Sequence, residues 1–282
     1  MGKKTHLTVK DYSVSKETFE LIFNNEKDIL ETIPRPKKED LSNYYKSEDY
    51  ISHTDSRRNL LEVVYHIIRK KALKNKLSLI ASFQQQEKNL LDVGCGTGDF
   101  LETALNANWN VVGVEPNQGA RDIANSKTNN KVYDVESLPN LEPNSFDVIT
   151  LWHVLEHLPN LDDHISVFKK LLKPNGKIVV AVPNYKSYDA AYYKSFWAAY
   201  DVPRHLWHFS QKGIQRIFEA KKLLLEKTQP MIFDAYYVSL LSEKYKNGFM
   251  NPFKAFWIGW RSNRKAKHSR EFSSLIYVFK NA

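Results

Sequence analysis

Apolar and polar residues follow one repeating order from residue 89 to the end of the chain. Short apolar runs, typical of buried strands, alternate with segments whose apolar residues keep helical spacing. The apolar runs predict strands at residues 89–93, 110–114, 131–135, 146–152, 177–183, 223–229 and 275–280. The segments between them predict helices at residues 98–107, 118–126, 161–172 and 211–221. This alternation favours an α/β fold in which helices flank a parallel sheet.

The chain before residue 89 has a different pattern. Residues 10–36 show no regular period, and two prolines near residue 35 indicate a loop. Helical spacing of apolar residues then begins at about residue 55. We therefore expect an irregular and helical lead-in, residues 1–85, ahead of a main domain, residues 86–282. The main domain carries two insertions, residues 184–210 and 233–272, and the second is long enough to contain a helix of its own.

Composition narrows the class of protein. The chain has 282 residues, of which 42% are hydrophobic and 13% aromatic, as expected for a folded globular protein. Its one cysteine, Cys95, excludes disulfides within the chain and any zinc site made of four cysteines. No apolar run approaches the length of a membrane span, and the first residues lack the apolar segment of a signal peptide. We predict a cytoplasmic protein.

The net charge of +9 is moderate for this length. The simplest interpretation is a well-solvated surface. However, residues 253–270 interleave aromatic with basic residues, so this stretch could meet an anionic substrate, RNA or a membrane surface. A basic patch is weak evidence for nucleic-acid binding when it stands alone.

The most informative stretch is LLDVGCGTGDF, residues 90–100. Its apolar start predicts a buried strand, and Gly94, Gly96 and Gly98 allow a tight turn that a ligand can approach closely. The following helix points its amino end, with unpaired N–H groups, at whatever lies on the turn. The spacing G-x-G-x-G differs from the dinucleotide fingerprint G-x-G-x-x-G, which disfavours an NAD-dependent oxidoreductase. The next strand ends in Glu115, a carboxylate that can accept both hydroxyls of a ribose.

With Asp92 before the first glycine, this pattern resembles the class I S-adenosylmethionine-dependent methyltransferases. The resemblance implies a Rossmann-like seven-stranded sheet whose last strand is antiparallel, with S-adenosylmethionine as cofactor and S-adenosylhomocysteine as product. It also implies that the cofactor contacts a set of residues along the strand ends, namely Asp92, Gly94, Cys95, Gly96, Gly98, Glu115, Pro116, Asp134, Val135, Trp152 and His153. For two of them a plainer interpretation stays open: Cys95 as a small packing group and Asp134 as a turn-forming residue.

The lead-in contains YYKSEDYISH, which is similar to a stretch in some bacterial methyltransferases. Those proteins carry a zinc ribbon ahead of it, but Asn24 and Lys27 stand here where its cysteines would be. The resemblance implies that three lead-in residues reach the methionine end of the cofactor: Tyr45, Tyr50 and His53. A surface position at the entry of a helix is the equally open alternative for them.

The stretch WHVLEH, residues 152–157, follows the fourth predicted strand. Alone, His153, Glu156 and His157 match the zinc-peptidase pattern H-x-x-E-H, but a strand precedes them and Pro159 soon follows, so they cannot share one long helix. The stretch resembles E-V-L-E-H of the ubiquinone-pathway O-methyltransferases, where carboxylates and histidine can hold a divalent ion. His153 replaces the first glutamate of that pattern, and we predict no metal here. We expect Glu156 and His157 beside the acceptor; a role in tying down the loop is the alternative.

Residues 184–210 are rich in aromatic residues and leave the carboxyl end of a strand, where α/β sheets bind ligands. We expect them to form the acceptor wall, with Arg204 able to clamp a carboxylate or phosphate. The residues predicted to contact the acceptor are Glu156, Tyr185, Tyr200, Arg204 and His208. An aromatic cluster that packs this segment onto the core is the alternative. If the acceptor atom needs a base, His157 and His205 are the candidates.

The leading hypothesis is a methyltransferase that acts on an oxygen or nitrogen atom of a small-molecule, lipid-linked or glycan-linked acceptor. Two alternatives stay open: methylation of RNA, and a non-catalytic protein that binds S-adenosylmethionine and assists another subunit. The sequence does not specify an oligomeric state.

Overall fold

The computed structural model describes residues 5–37, residue 44 and residues 60–282, with the side chains of residues 60–66 left aside. A seven-stranded sheet forms the centre of the fold. In spatial order its strands are β10 (Leu223–Pro230), β11 (Ser274–Asn281), β8 (Leu172–Pro183), β7 (Phe146–Trp152), β4 (Asn89–Val93), β5 (Asn110–Val114) and β6 (Val132–Tyr133). Strands β4 to β8 are parallel, whereas β11 is antiparallel to both of its neighbours. The seven predicted strands and the reversed last strand are confirmed.

Both faces of this sheet are buried. Leu90 and Leu91 are fully buried, and because side chains alternate along a strand they belong to different core clusters on opposite faces. The helices that accompany the sheet are α1 (Leu60–Ala81), α2 (Asp99–Leu105), α3 (Gln118–Lys127), α4 (Leu161–Leu171) and α6 (Gln211–Glu219). Burial on two faces explains why the parallel strands are continuous apolar runs in the sequence.

The amino-terminal prediction is wrong in one respect. Residues 10–36, expected to be irregular, contribute to a second sheet in which β1 (Thr5–Lys10), β2 (Thr18–Asn24), β3 (Ile29–Ile33) and β9 (Trp207–His208) are antiparallel neighbours. The alternation that marks β2 buries only Phe19 and Leu21 and is too short to stand out. The pairing of β3 with β9 joins segments far apart in the chain, which no local pattern reveals.

The insertion at residues 233–272 contains two helices, α7 (Asp234–Asn247) and α8 (Pro252–Ser269), where one was expected. They pack against each other as a hairpin. Gly248 ends α7 in a left-handed conformation, and the side chain of Asn251 caps α8 by accepting a hydrogen bond from the N–H of Lys254 at 3.1 Å. A short helix, α5 (Tyr188–Tyr193), lies in the other insertion and packs against α8. No helix of the described ranges combines the length and the apolar character needed to span a bilayer.

Candidate functional site

The glycine turn lies at the carboxyl end of β4. The backbone N–H groups of Gly94 and Cys95 donate to the carbonyl of Val114 at 2.8 and 3.2 Å, which fixes the turn against β5. A Cβ on Gly94 would meet Val154 at 2.6 Å, and one on Gly98 would meet Ala124 at 2.8 Å, so both positions require glycine. At Gly96, among the residues that the structure describes and apart from its own chain neighbours, no atom lies within 4 Å of where a Cβ would stand. The turn is therefore closely packed behind and open in front, as a ligand cradle must be.

Glu115 faces this turn. Its two carboxylate oxygens accept the backbone N–H groups of Gly96 at 2.9 Å and Asn117 at 3.0 Å. Burial raises the pKa of Glu115 above its usual range, while these two N–H groups and Arg121 oppose the rise. Pro116 follows, and its carbonyl and that of Glu115 both accept from the Arg121 guanidinium at 2.8 and 2.7 Å. A carboxylate held this way still has lone pairs for ligand hydroxyls.

Asp134 lies at the end of the next strand, which stops at Tyr133, shorter than expected. The Asp134 side chain accepts the N–H of Glu136 at 3.0 Å and so caps a short 3-10 helix that begins at Val135. Its carboxylate also pairs with Arg121 at 2.7 Å. The local geometry of Asp134 thus matches the interpretation as a turn-forming residue. Because part of its side chain is exposed, contact with the cofactor stays a prediction.

Asp92 and Trp152 lie behind the turn. Asp92 is buried and accepts a 2.6 Å hydrogen bond from the hydroxyl of Thr150; burial raises its pKa to about 7. The Trp152 ring stacks edge-on against Phe100, and its indole N–H is buried with no partner among the described residues. Such an unpartnered donor is uncommon in a folded protein. It is the kind of group that a bound ligand can satisfy.

Cys95 is half-buried in the turn, and its sulfur would lie 2.9 Å from a Cβ on Gly113. Burial, helped by Asp92 and Glu115, raises the pKa of this thiol well above its usual range. The thiolate that a nucleophile needs is thus disfavoured, and packing is the role that the geometry supports.

Lys76 of α1 is a site residue that the sequence analysis missed. Its ammonium lies 4.4 Å from the centre of the Trp152 ring, and burial lowers its pKa although Asp92, Asp234 and Asp99 oppose that change. The helical pattern places it on the predicted lead-in helix, but only the fold shows which of the many lysines there turns inward.

His153 occupies a strained position between two carboxylates. Its φ of 58° is in the left-handed region, uncommon for a residue with a side chain. One ring nitrogen lies 3.4 Å from a Glu156 oxygen and the other 3.2 Å from an oxygen of Asp234 at the start of α7. Burial lowers the pKa of His153, but these two carboxylates outweigh it and raise the pKa to about 10. The ring is therefore positively charged at neutral pH, and Asp234 is a second residue that the sequence did not indicate.

Glu156, His157 and His205 form a cluster beside His153, in which Glu156 and His205 are buried and His157 is half-buried. One ligand atom from each lies within 4.8 Å of the others, a spacing that suits a metal ion. Both Glu156 oxygens are buried without a hydrogen-bond partner in the described part of the chain. The Nδ1 atoms of His157 and His205 bond the carbonyls of Arg204 at 3.0 Å and Ala199 at 2.9 Å, which sets both rings. Burial and the neighbouring His205 lower the pKa of His157 to about 4.

The prediction for Arg204 needs correction. Its guanidinium is buried and bonds Asp201 at 2.6 and 3.0 Å, Asp11 at 3.2 Å, the hydroxyl of Ser13 and the carbonyl of Tyr44 at 3.0 Å. These partners engage the Nε–H and both terminal nitrogens, so the guanidinium is held inside the protein rather than presented to an acceptor. Arg204 instead ties the amino-terminal sheet to the segment that follows α5.

The acceptor wall predicted at residues 184–210 is mostly internal. Tyr200 and His208 are buried; the rings contact each other, and His208 Nε2 lies 3.0 Å from the hydroxyl of Thr32 on β3. Tyr185 is half-buried, with its ring edge-on to His6. The packing alternative therefore describes Tyr200 and His208, because the second sheet covers the face on which an acceptor was expected. Tyr45, Tyr50 and His53, predicted near the cofactor, lie outside the described residues.

Comparison with known proteins finds relatives in sequence and in fold. The sequence model of a family described as methyltransferase domain matches residues 65–223, more than half of the chain. A ubiquinone biosynthesis O-methyltransferase from Hydrogenovibrio crunogenus is 30% identical over 150 residues, which cover 50% of this chain and 62% of that protein. One from Idiomarina loihiensis is 28% identical over 170 residues, covering 56% and 70%. The chain thus spans less than two thirds of the first of these relatives.

Solved structures show the same fold. Magnesium protoporphyrin IX methyltransferase from Synechocystis PCC 6803, solved with bound S-adenosylhomocysteine, superposes with a TM-score of 0.57 at 13% identity, covering 87% of this chain and 100% of that one. A SAM-dependent methyltransferase from Archaeoglobus fulgidus gives a TM-score of 0.52 at 18% identity, covering 79% and 100%. At these identities the likeness concerns the fold alone.

Proposed function

Because the chain belongs to the methyltransferase-domain family, we propose that it transfers a methyl group from S-adenosylmethionine to an oxygen atom of a small hydroxylated acceptor, in the cytoplasm. The observation that carries this proposal is the carboxylate of Glu115, bonded to the N–H of Gly96 at 2.9 Å beside the open front of the glycine turn. Transfer to nitrogen, and a lipid or glycan attached to the acceptor, remain within the proposal. The relatives named for ubiquinone biosynthesis support a hydroxyl acceptor.

The residues of the turn fit this cofactor. When bound, S-adenosylmethionine supplies a methyl group already activated by a sulfonium. Glu115 would accept the ribose hydroxyls, and the open face at Gly96 would admit the sugar and the sulfur-bearing chain. Lys76 would hold the carboxylate of the methionine end, and Asp92 would orient the turn behind it. The protein then has to align the reacting atoms and exclude water.

His157 is the base that we propose for an acceptor hydroxyl. Its lowered pKa keeps the ring neutral at pH 7 and makes it a weak base, so it would take the proton as the attacking oxygen bonds to the methyl carbon and becomes acidic. The bond between His157 Nδ1 and the Arg204 carbonyl places the hydrogen on Nδ1, so Nε2 is the accepting atom. His205, edge-on to His157 with ring centres 4.6 Å apart, limits the positions the ring can adopt.

A divalent ion is compatible with the same cluster. Glu156, His157 and His205 would hold it, since the Glu156 oxygens accept no hydrogen bond from the described residues, while the charged His153 ring, 3.4 Å from one of them, would oppose a further cation. A bound ion would lower the pKa of the acceptor hydroxyl by acting as a Lewis acid. Our prediction of no metal is therefore tested directly: full activity in chelator, with no divalent ion retained on dialysis, supports the base mechanism.

The decisive experiment combines binding with turnover. S-adenosylhomocysteine should bind in calorimetry, and methyl-labelled S-adenosylmethionine should label one class in a panel of catechols, prenylated catechols, glycan-linked phenols and RNA. His157→Ala should lower kcat by about a hundredfold or more with unchanged S-adenosylhomocysteine affinity. His164→Ala, a half-exposed histidine of α4, is the matched control and should change neither value.

The remaining outcomes separate the alternatives. Label found only in RNA would establish the RNA methyltransferase. Tight binding of S-adenosylhomocysteine without transfer to any acceptor would identify a non-catalytic partner protein. Absence of S-adenosylhomocysteine binding would overturn the proposal.

A further inference from the structure

Helix α8 exposes its aromatic side chains to solvent, unlike an ordinary surface helix. Toward the protein it buries mostly small or short residues, including Ala255, Gly259, Ser262 and Ala266, and one large apolar residue, Ile258. A Cβ on Gly259 would meet a ring atom of Tyr236 of α7 at 2.7 Å and the Tyr236 Cα at 3.0 Å, so the two helices approach closely there. Surface helices of globular proteins place their apolar residues inward and their polar residues outward. In α8 most of the buried residues are small, and the aromatic residues lie on the outward face.

The outward face carries the aromatic residues in one stripe. Phe253, Phe256, Trp257 and Trp260 follow the i, i+3, i+4, i+7 spacing of a single helix face. Phe253 is 88% exposed and Trp257 is 53% exposed. Just before the helix, the loop that joins it to α7 exposes Phe249 and Met250. Clustered apolar residues of this size rarely face water without an interaction to explain them.

Positive charge continues the same stripe. Arg264 and Lys267 lie one and two turns beyond Trp260 on the outward face, and Arg261, Lys265 and Arg270 flank them. The α7–α8 hairpin, residues 234–270, contains eight lysines and arginines but two carboxylates. Of these carboxylates, Glu243 is fully buried and Asp234 pairs with His153. The exposed surface of α8 is thus aromatic at one end, basic at the other, and free of acidic residues.

We propose that this stripe docks the protein on an anionic phospholipid bilayer, with α8 lying in the plane of the interface. Aromatic side chains beside lysine and arginine are typical of helices that bury one face at the headgroup boundary. The charge is complementary to an anionic leaflet, which attracts basic residues near the membrane. A second copy of the chain is a less favourable occupant, because a two-fold contact would bring together two surfaces that both carry positive charge and no acidic residue.

The docking surface adjoins the candidate site, because α7 begins at Asp234, the partner of His153. Docking would hold the cleft close to the bilayer, where a lipid-linked acceptor would be found. This last consequence rests on the proposed function, whereas binding to the membrane does not.

Vesicle flotation tests the proposal on the full chain. Vesicles of phosphatidylcholine with one third phosphatidylglycerol should carry the protein upward, and vesicles of phosphatidylcholine alone should carry much less. Phe253→Ser and Trp257→Ser should each lower the partition coefficient about tenfold, since each removes one large apolar group from the bilayer. Leu224→Ser, an exposed apolar residue of β10, is the matched control and should leave it unchanged.

Charge reversal gives an independent test. Arg264→Glu combined with Lys267→Glu should reduce binding to anionic vesicles at least about tenfold, because each basic residue near the surface contributes attraction. Lys131→Glu combined with Lys212→Glu makes the same change of net charge elsewhere and should reduce binding far less. Trp257→Phe should keep binding but reduce the blue shift of tryptophan emission that vesicles induce in the parent protein, and Trp257→Phe combined with Trp260→Phe should remove it.

Several results would overturn the proposal. They are a failure of the parent protein to float, equal flotation of the stripe variants and the parent, and a dimer that Phe253→Ser dissociates. Retention on RNA that the stripe variants abolish, without flotation, would assign the stripe to RNA instead. Binding of S-adenosylhomocysteine, measured on every variant, separates a failed docking surface from a failed function.

Discussion

The two halves of the candidate site are built from different kinds of contact. On the cofactor side, Gly96 bonds Glu115 across 19 residues, and Asp134 caps a helix two residues away. On the acceptor side, Arg204 bonds Asp11 across 193 residues, and Thr32 bonds His208 across 176. The cofactor side is built from successive strand–turn–helix units that follow one another along the chain. The acceptor side exists only after the amino-terminal sheet has docked.

This difference predicts whether a single substitution in each half changes ligand binding or stability. The cofactor side depends on backbone geometry within a sheet that is packed on both faces, so single side chains there affect ligand binding more than folding. The acceptor side depends on a few buried charged contacts between distant segments, so single side chains there affect stability first. Each prediction below separates binding from stability on one side of this division.

The largest effect is expected at Arg204. Arg204→Met leaves the carboxylates of Asp11 and Asp201 without their buried partner, and breaking such a pair typically costs about 3–5 kcal/mol. Urea unfolding should show this loss in the free energy of unfolding. Arg216→Met, an exposed arginine of α6, should change it little.

The same variant tests the division between the halves. In folded Arg204→Met at low temperature, S-adenosylhomocysteine affinity should stay within about twofold of the parent protein, because none of the turn contacts involves residue 204. A strong loss of affinity with unchanged stability would contradict the comparison.

Glu115→Ala is the converse change, with the next largest effect. It removes the acceptor of the Gly96 and Asn117 N–H groups and the proposed partner of the ribose. Hydrogen bonds to a charged group contribute about 1.5–3 kcal/mol each, so S-adenosylhomocysteine affinity should fall about a hundredfold in calorimetry. Glu142→Ala, an exposed glutamate, is the control. Unchanged affinity in Glu115→Ala would remove this residue from the site.

The same division decides how much the sequence could predict. Residues 90–98 and Glu115 come from two neighbouring strands and the turns that follow them. Apolar runs and glycines in the local sequence specify these strands and turns. The sequence therefore predicted their positions nearly to the residue. β3 and β9 pair only in the fold, and Arg204 acquires its partners from residues 11, 13, 44 and 201. A pattern of residue types shows an arginine among aromatic residues, but it does not show that this arginine is bonded to distant segments inside the protein.

Lys76 tests a part of the cofactor side that depends on a distant contact. Lys76→Met removes the proposed partner of the methionine carboxylate, and S-adenosylhomocysteine affinity should fall about tenfold, as for one charged hydrogen bond. Lys74→Met, an exposed neighbour on α1, is the control. The affinity for 5′-methylthioadenosine, which lacks that carboxylate, should not change in either variant. Equal losses for both ligands would show that Lys76 supports the cleft rather than the carboxylate.

The smallest effect is a change of pH dependence at Asp11, the partner of Arg204. Burial alone would raise the pKa of this carboxyl, but the N–H groups of Ser15 and Val14, the Arg204 charge and the Ser13 hydroxyl hold it well below its usual range. A carboxyl with a lowered folded-state pKa contributes stability that is complete above the unfolded pKa, about 4, and is lost as the pH falls toward the folded value. In urea unfolding, Asp11→Asn should therefore be less stable than the parent at pH 7, and the gap should narrow between pH 4 and pH 3. Asp122→Asn, an exposed aspartate of α3, should keep the parent's dependence on pH. A gap that stays constant down to pH 3 would show that the Asp11 charge does not hold the amino-terminal sheet to the segment that follows α5.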